Sequence, residues 1–190
     1  MKDFNYAGQR VGVLVDVSNL YHSAKHLYRG RVNYTELLKN LVGNRQLIRA
    51  IAYVVKTENA AGEDAFFEAL GKSGFELRSK DLQIFADGSK KADWDVGIAV
   101  EAMRMSQFVD VIILVTGDGD FLPLVDYLKW GTGRVVEVAA FKRSCSQKLQ
   151  EAVDHFINLE EAPRMILKSA ISNRGRGRES DIPTPPRDLE

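Results

Sequence analysis

The stretch V-I-I-L-V-T-G-D-G-D-F, Val111 to Phe121, restricts the fold more than any other part of the chain. Five apolar residues run from Val111 to Val115 without a polar interruption. A short unbroken run of this kind predicts a strand covered on both faces, not one with a wet side. It stops at Thr116-Gly117-Asp118-Gly119-Asp120, and a helical apolar pattern starts at Phe121, with Pro123 tolerated in the first turn. The strand therefore delivers two carboxylates to one edge of a sheet. With only glycine between them they repel unless a proton or a cation intervenes.

The rest of the chain repeats this alternation. Val11–Val15 predicts a strand that ends at Asp16, followed by a helix through Leu20, Tyr21, Ala24 and Leu27 that Ser18 or Asn19 can cap. Arg29-Gly30-Arg31 breaks it, and a second helix starts at Asn33 or Thr35. Ile48–Val55 is the next strand, Ala61–Lys72 a helix, Phe75–Arg78 a strand, and Leu82–Phe85 a short edge piece or hairpin partner. Asp87–Lys91 is a polar loop, and a helix from Asp93 to Gln107 should turn Val96, Ala99, Val100 and Met103 inward. After the Val111 strand come a helix to Trp130, a strand over Arg134–Ala139, a helix from Ser144 or Ser146, and a last strand over His155–Leu159.

Strands apolar on both faces and alternating with helices imply an α/β fold: a three-layer, open, mainly parallel sheet of about five or six strands with helices on both sides. Residues 1–9 read as an extension and 10–161 as one domain. Residues 162–190 carry Arg-Gly and Pro-rich pieces without apolar periodicity and read as a disordered tail, although Ile166 and Leu167 have the character to dock.

In such sheets ligands bind beyond the carboxyl ends of the strands. Asp16, Asp118 and Asp120 fall at such ends, and Asp95 lies in the first turn of a helix entering the same edge. Some of the polar residues here have a plainer reading beside the functional one. Asp120 can act as a ligand or as an N-cap, and Asp93 suits a cap better than a ligand. Asn19 caps its helix or holds a ligand or a carboxylate. Asp16 and Asp118 have no equally good structural role. An all-oxygen set of this kind suits Mg²⁺ or Mn²⁺. Lys56, Lys90, Lys91, Lys142 and Arg143 sit at or just past expected strand ends and would form a basic lip for a phosphodiester backbone. Trp94 and Tyr21 can stack bases, though core packing explains either one alone. His22 and His26 lack the neighbours of a zinc pair.

Composition removes several alternatives. Lysine plus arginine and aspartate plus glutamate both number 26, so no global positive charge points to non-specific DNA coating. Cys145 is the single cysteine, which excludes an internal disulfide and a cysteine metal cluster. With no apolar leader region and no membrane-length apolar run, a soluble cytoplasmic protein is expected.

Three segments in this order resemble the NYN domain, the LabA-like branch of the PIN-like nuclease superfamily: V-L-V-D-V-S-N-L (Val13–Leu20), K-A-D-W-D-V-G-I-A-V-E (Lys91–Glu101) and I-L-V-T-G-D-G-D-F-L-P-L-V (Ile113–Val125). The later pieces Gly131–Val138 and Leu149–Leu159 agree. The resemblance implies a Rossmann-like, PIN-like fold and a metal-dependent ribonuclease with RNA as partner. It places the acids on Asp16, Asp95, Asp118 and Asp120, and the asparagine on Asn19. Thr116 stands where the family usually has serine, and Ala92-Asp93 replaces an expected glycine step, so Asp93 competes with Asp95 for the ligand role. Glu101 stands where the family often has aspartate, on a different face of the helix from Asp95.

Two other functions compete. One is an RNA-binding or regulatory protein with little or no turnover. The other is a metal-dependent adhesion-type module, whose D-x-S-x-S motif is met at Asp16 and Ser18 but fails at Leu20.

Overall fold

The computed structural model describes residues 7–57, 62–84 and 90–168. Six parallel strands form the central sheet: β1 (Arg10–Asp16), β3 (Gln46–Lys56), β4 (Glu76–Asp81), β7 (Val111–Val115), β8 (Val135–Ala140) and β9 (His155–Asn158). Their order across the sheet is β4-β3-β1-β7-β8-β9. The chain thus winds outward from β1 in one direction, then from β7 in the other, and the direction reverses between these two neighbours.

Helices α1 (Val17–Tyr28), α2 (Tyr34–Val42) and α3 (Glu63–Lys72) cover one face. Helices α4 (Asp95–Met105), α5 (Leu122–Asp126) and α6 (Gln147–Ala152) cover the other. Alternate residues of the central strands divide between the two cores. Val11, Val13, Val15, Val111, Ile113 and Val115 pack on the α1 side, and Leu14, Ile112 and Leu114 on the α4 side. This is the physical content of the unbroken apolar run: β7 has no wet face, and every residue in it is buried. The open, mainly parallel three-layer arrangement is the one expected.

Two small sheets flank this frame. Arg29 closes α1 in the left-handed region (φ 49°), and its N–H reaches the Lys25 carbonyl at 3.0 Å. The chain then forms β2 (Gly30–Val32), which pairs antiparallel with β10 (Ile166–Lys168). Ile166 and Leu167 therefore do dock, and Met165 beside them is buried. Gln83–Ile84 (β5) pairs antiparallel with Lys90–Lys91 (β6). Ala61, Phe85, the centre of the expected Asp87–Lys91 loop, and the tail beyond residue 168 lie outside the described residues.

Two local expectations are corrected. The cap of α1 is neither Ser18 nor Asn19 but Asp16, whose Oδ1 accepts from the Asn19 N–H at 3.1 Å. The inner face of α4 is corrected in part: Ala99 and Met103 pack against the core as expected, but Val96 and Val100 are 75% and 45% exposed, and Ile98, Ala102 and Met105 form the buried stripe. Both stripes are apolar at helical spacing, so periodicity cannot choose between them. Trp94 makes the choice. Its Nε1–H donates to the Val54 carbonyl at 2.9 Å, and its ring lies 5.2 Å from that of Tyr53, pinning the start of α4 to β3. Gly97 lets the indole lie against the helix; a Cβ there would stand 2.7 Å from the ring. With the start so held, Glu101 turns inward and pairs with Arg49 at 2.6 Å.

Candidate functional site

The acids gather where the winding reverses. β1 and β7 run side by side in register, Val15 beside Val115, so Asp16 and Thr116 leave the sheet together. The two segments that follow are tied at once: Asn19 Oδ1 accepts from the Gly117 N–H at 2.9 Å. Gly117 is also pressed from the β8 side. A Cβ on it would meet the Ser144 carbonyl oxygen at 2.7 Å, and its own carbonyl accepts from the Ser146 N–H at 2.9 Å. The loops after β1, β7 and β8 therefore close on one glycine that has no room for a side chain.

Asp118 ends this turn. Its N–H donates to Thr116 Oγ1 at 3.3 Å, and its Oδ1 accepts from the Asp120 N–H at 2.9 Å, capping the short 3-10 turn Gly119–Phe121. The cap expected of Asp120 is thus made by Asp118, and Asp120 is exposed. Asp16 and Asp118, which the sequence left without a structural role, both cap helical turns through Oδ1. Capping uses one oxygen of a carboxylate; a cation can take the other.

Asp95 comes from the opposite core layer as the first residue of α4, with Trp94 holding that helix in place. Asp16 and Asp95 both feel the charge of Asp118. Burial pushes the Asp16 carboxyl up to about 6, and the charges of Asp95 and Asp118 add to the rise. Asp95 is also raised, by burial first and then by Asp118, Asp93 and Asp120. The charge of Asp95 acts on Asp16, as does that of Asp118, whereas Asp93 is exposed and acts on Asp95.

Three residues of the expected basic lip have described side chains. Lys56 is exposed at the end of β3, and Lys142 is exposed just after β8, on either side of the acid pair. Arg143 is engaged elsewhere, 5.2 Å over the Tyr28 ring and 3.2 Å from Glu160. Lys90 and Lys91 form β6, and their side chains lie outside the described part of the structure. Glu101 belongs to a structural ion network with Arg49, Arg104 and, through Arg49, Glu76.

One residue escaped the sequence reading. Lys80, near the end of edge strand β4, lies 4.9 Å over the Trp94 ring, and its charge partly opposes the rise at Asp95. It sits on the strand beyond β3, so no motif near the acids announces it. The signal was the strand end itself, the criterion that singled out Lys56.

The donor set, carboxylates at the mouth of a sheet, fits a hard divalent cation in its chemistry. Among the described residues no group of three His, Cys, Asp or Glu side chains is already arranged to hold an ion. Among the same residues no helix is long and apolar enough to cross a membrane.

Comparison with known proteins agrees with this architecture. The chain is 24% identical over 169 residues to the low amplitude and bright protein LabA of Synechococcus elongatus, a match covering 84% of this chain and 89% of that protein. A crystal structure of a protein of unknown function from Vibrio parahaemolyticus superposes with a TM-score of 0.78 at 31% identity, covering 86% of this chain and 99% of that one. The NYN domain model matches residues 10–160, which include all six strands of the central sheet and every acid described above. The chain belongs to the NYN domain family, whose fold is of the PIN-like, nuclease type.

Proposed function

We propose that the protein is a metal-dependent ribonuclease that hydrolyses RNA phosphodiester bonds at the mouth between β1 and β7. One observation carries the reading: Asp16, Asp95 and Asp118 come from three separate elements in two different layers, yet the charges of Asp95 and Asp118 both raise the proton affinity of Asp16, and Asp118 raises that of Asp95. A fold gains nothing in stability from collecting like charges there. A bound cation turns that cost into binding.

Asp16, Asp95 and Asp118 hold Mg²⁺ or Mn²⁺ in this reading, with exposed Asp120 as a further oxygen donor near the opening. The ion supplies electrostatic activation of water and of the phosphoryl oxygens. The chain's own residues do the positioning. Asn19 locks the Gly117 turn, Thr116 and Asp118 fix its shape, and Lys80 and Lys56 offer positive charge for neighbouring phosphates.

The test is RNA cleavage by the purified chain with Mn²⁺ or Mg²⁺, alongside Asp118→Asn. Asparagine keeps an oxygen for the cap, so the variant should fold and lose about a thousandfold in rate. Cleavage that persists in the variant, or in excess EDTA, sinks the mechanism. RNA binding without cleavage under any metal would favour the regulatory alternative. The adhesion-type reading is weakened by Leu20: it is 2% exposed, packed in the core, and no ligand for a metal.

A further inference from the structure

Beside the acid site, on the α1 layer, lies a second feature that the hydrolytic chemistry does not use. A cavity of about 250 Å³ opens between α1, the β2–α2 junction and α3. Its volume falls below the roughly 300 Å³ at which pockets for larger ligands begin, so it suits one flat ring system. Tyr21, Tyr34 and Phe66 contribute aromatic walls, and Ala69 leaves the space open on the α3 side. The Tyr34 ring is fixed edge-on between Phe66 at 5.8 Å and Phe75 at 6.3 Å. Arg31 and Lys72 border the cavity. The Lys72 ion pair with Glu68, at 2.6 Å, joins two highly exposed side chains, so exchange for a phosphate costs little.

Position links this cavity to the acids. Asp16 caps α1, and Tyr21, on the second turn of the same helix, lines the cavity. About 7.5 Å of helical rise therefore separates the acid end of β1 from this cavity wall.

We infer that this cavity receives one unpaired nucleobase of a single-stranded RNA whose neighbouring phosphate lies at Asp16. The inference rests on the ribonuclease reading for the direction of the strand. It does not rest on turnover for the pocket itself. Aromatic faces hold any base by stacking, with cations beside them for the backbone. The site would thus select for an unstacked base next to the cut and against continuous duplex.

The test is amide NMR of the full chain in EDTA, where no cleavage occurs, titrated with uridine monophosphate and with hexauridylate. Saturable shifts at the amides of Tyr21, Thr35, Ala69 and Ser73 are expected with both. Ala69→Phe, which fills the cavity, should weaken both by about tenfold or more. Tyr21→Leu, on a half-buried surface position, should weaken them too, and the amide fingerprint shows directly whether each variant is folded. Shifts with the mononucleotide alone would overturn the strand assignment in favour of a free nucleotide. No shifts at these amides with either probe would overturn the pocket. Because metal and cleavage play no part, inactivity of the enzyme would leave these results standing, and their failure would leave the hydrolytic site intact.

Discussion

Asn19 Oδ1 accepts the Gly117 N–H at 2.9 Å, a bond that joins residues 98 positions apart in the chain. It ties the first turn of α1, which Asp16 caps, to the turn that Asp118 shapes. Beyond the in-register pairing of β1 and β7, this side-chain amide ties the two acid-bearing segments together. Gly117 is buried, so its N–H has no water to fall back on when that acceptor is removed.

Asn19→Ala should therefore cost about 1–3 kcal/mol of stability by leaving a buried amide unpaired. Urea denaturation of the two proteins measures this directly. Asn19→Asp keeps the acceptor but adds a like charge beside Asp16, so it should recover less than the full loss. Equal stability of Asn19→Ala and the parent would show that the loop is held by its other contacts.

Metal should stabilise the fold. At a concentration 100 times its Kd, Mg²⁺ or Mn²⁺ should add about 2.7 kcal/mol, seen as a rise in Tm. Asp16→Asn keeps the cap and removes one of the mutually repelling charges. It should raise the Tm of the metal-free protein by about 2–4 °C per kcal/mol gained, and it should abolish the rise on adding metal. A variant that still responds fully to metal would remove Asp16 from the ligand set.

Lys80→Met preserves an apolar stem over Trp94 and deletes the charge. RNA affinity should fall several-fold, and the dependence of log K on log salt should become shallower by about one phosphate contact, roughly 0.7 for single strands. The melting temperature should barely move. An unchanged salt slope would assign Lys80 to packing on Trp94.

Acid should expose one surface pair. The Arg10 guanidinium and backbone N–H bonded to Asp110 hold its carboxyl down at about 2. A depressed carboxylate stabilises the fold above its ordinary value of 3.8 and loses that contribution as pH falls through about 2. The pair is well exposed, so solvent screening keeps its contribution small. Asp110→Asn should be slightly less stable than the parent at pH 7, and the gap should close between pH 4 and 2. A gap that is constant with pH would mean that the charge contributes nothing.

Much of the architecture was legible in the chain because it follows from local rules. The run Val111–Val115 has no polar residue to face water, which demands a doubly covered strand. Asp16 and Asp118 stand at the points where apolar runs stop, so their place at strand ends needed no coordinates. Short pieces such as β2 and β10, three residues each, carry too little pattern to be seen before they pair.

What the sequence left undecided is where local rules give two equal answers. Helix α4 carries two apolar stripes, and Trp94, anchored to the Val54 carbonyl of another element, selects the one that is buried. That rotation turns Glu101 to Arg49, while the charge of Asp95 comes within reach of Asp16. The same holds for the stretch from Val111 to Phe121. The sequence by itself determined that it would end a buried strand in two carboxylates. Only the tertiary structure decided that Asp118 would cap the turn, that Asp120 would stand exposed, and that the charge of Asp118 would act on acids from two other elements. Convergence depends on packing between distant segments, and no periodicity along the chain encodes it.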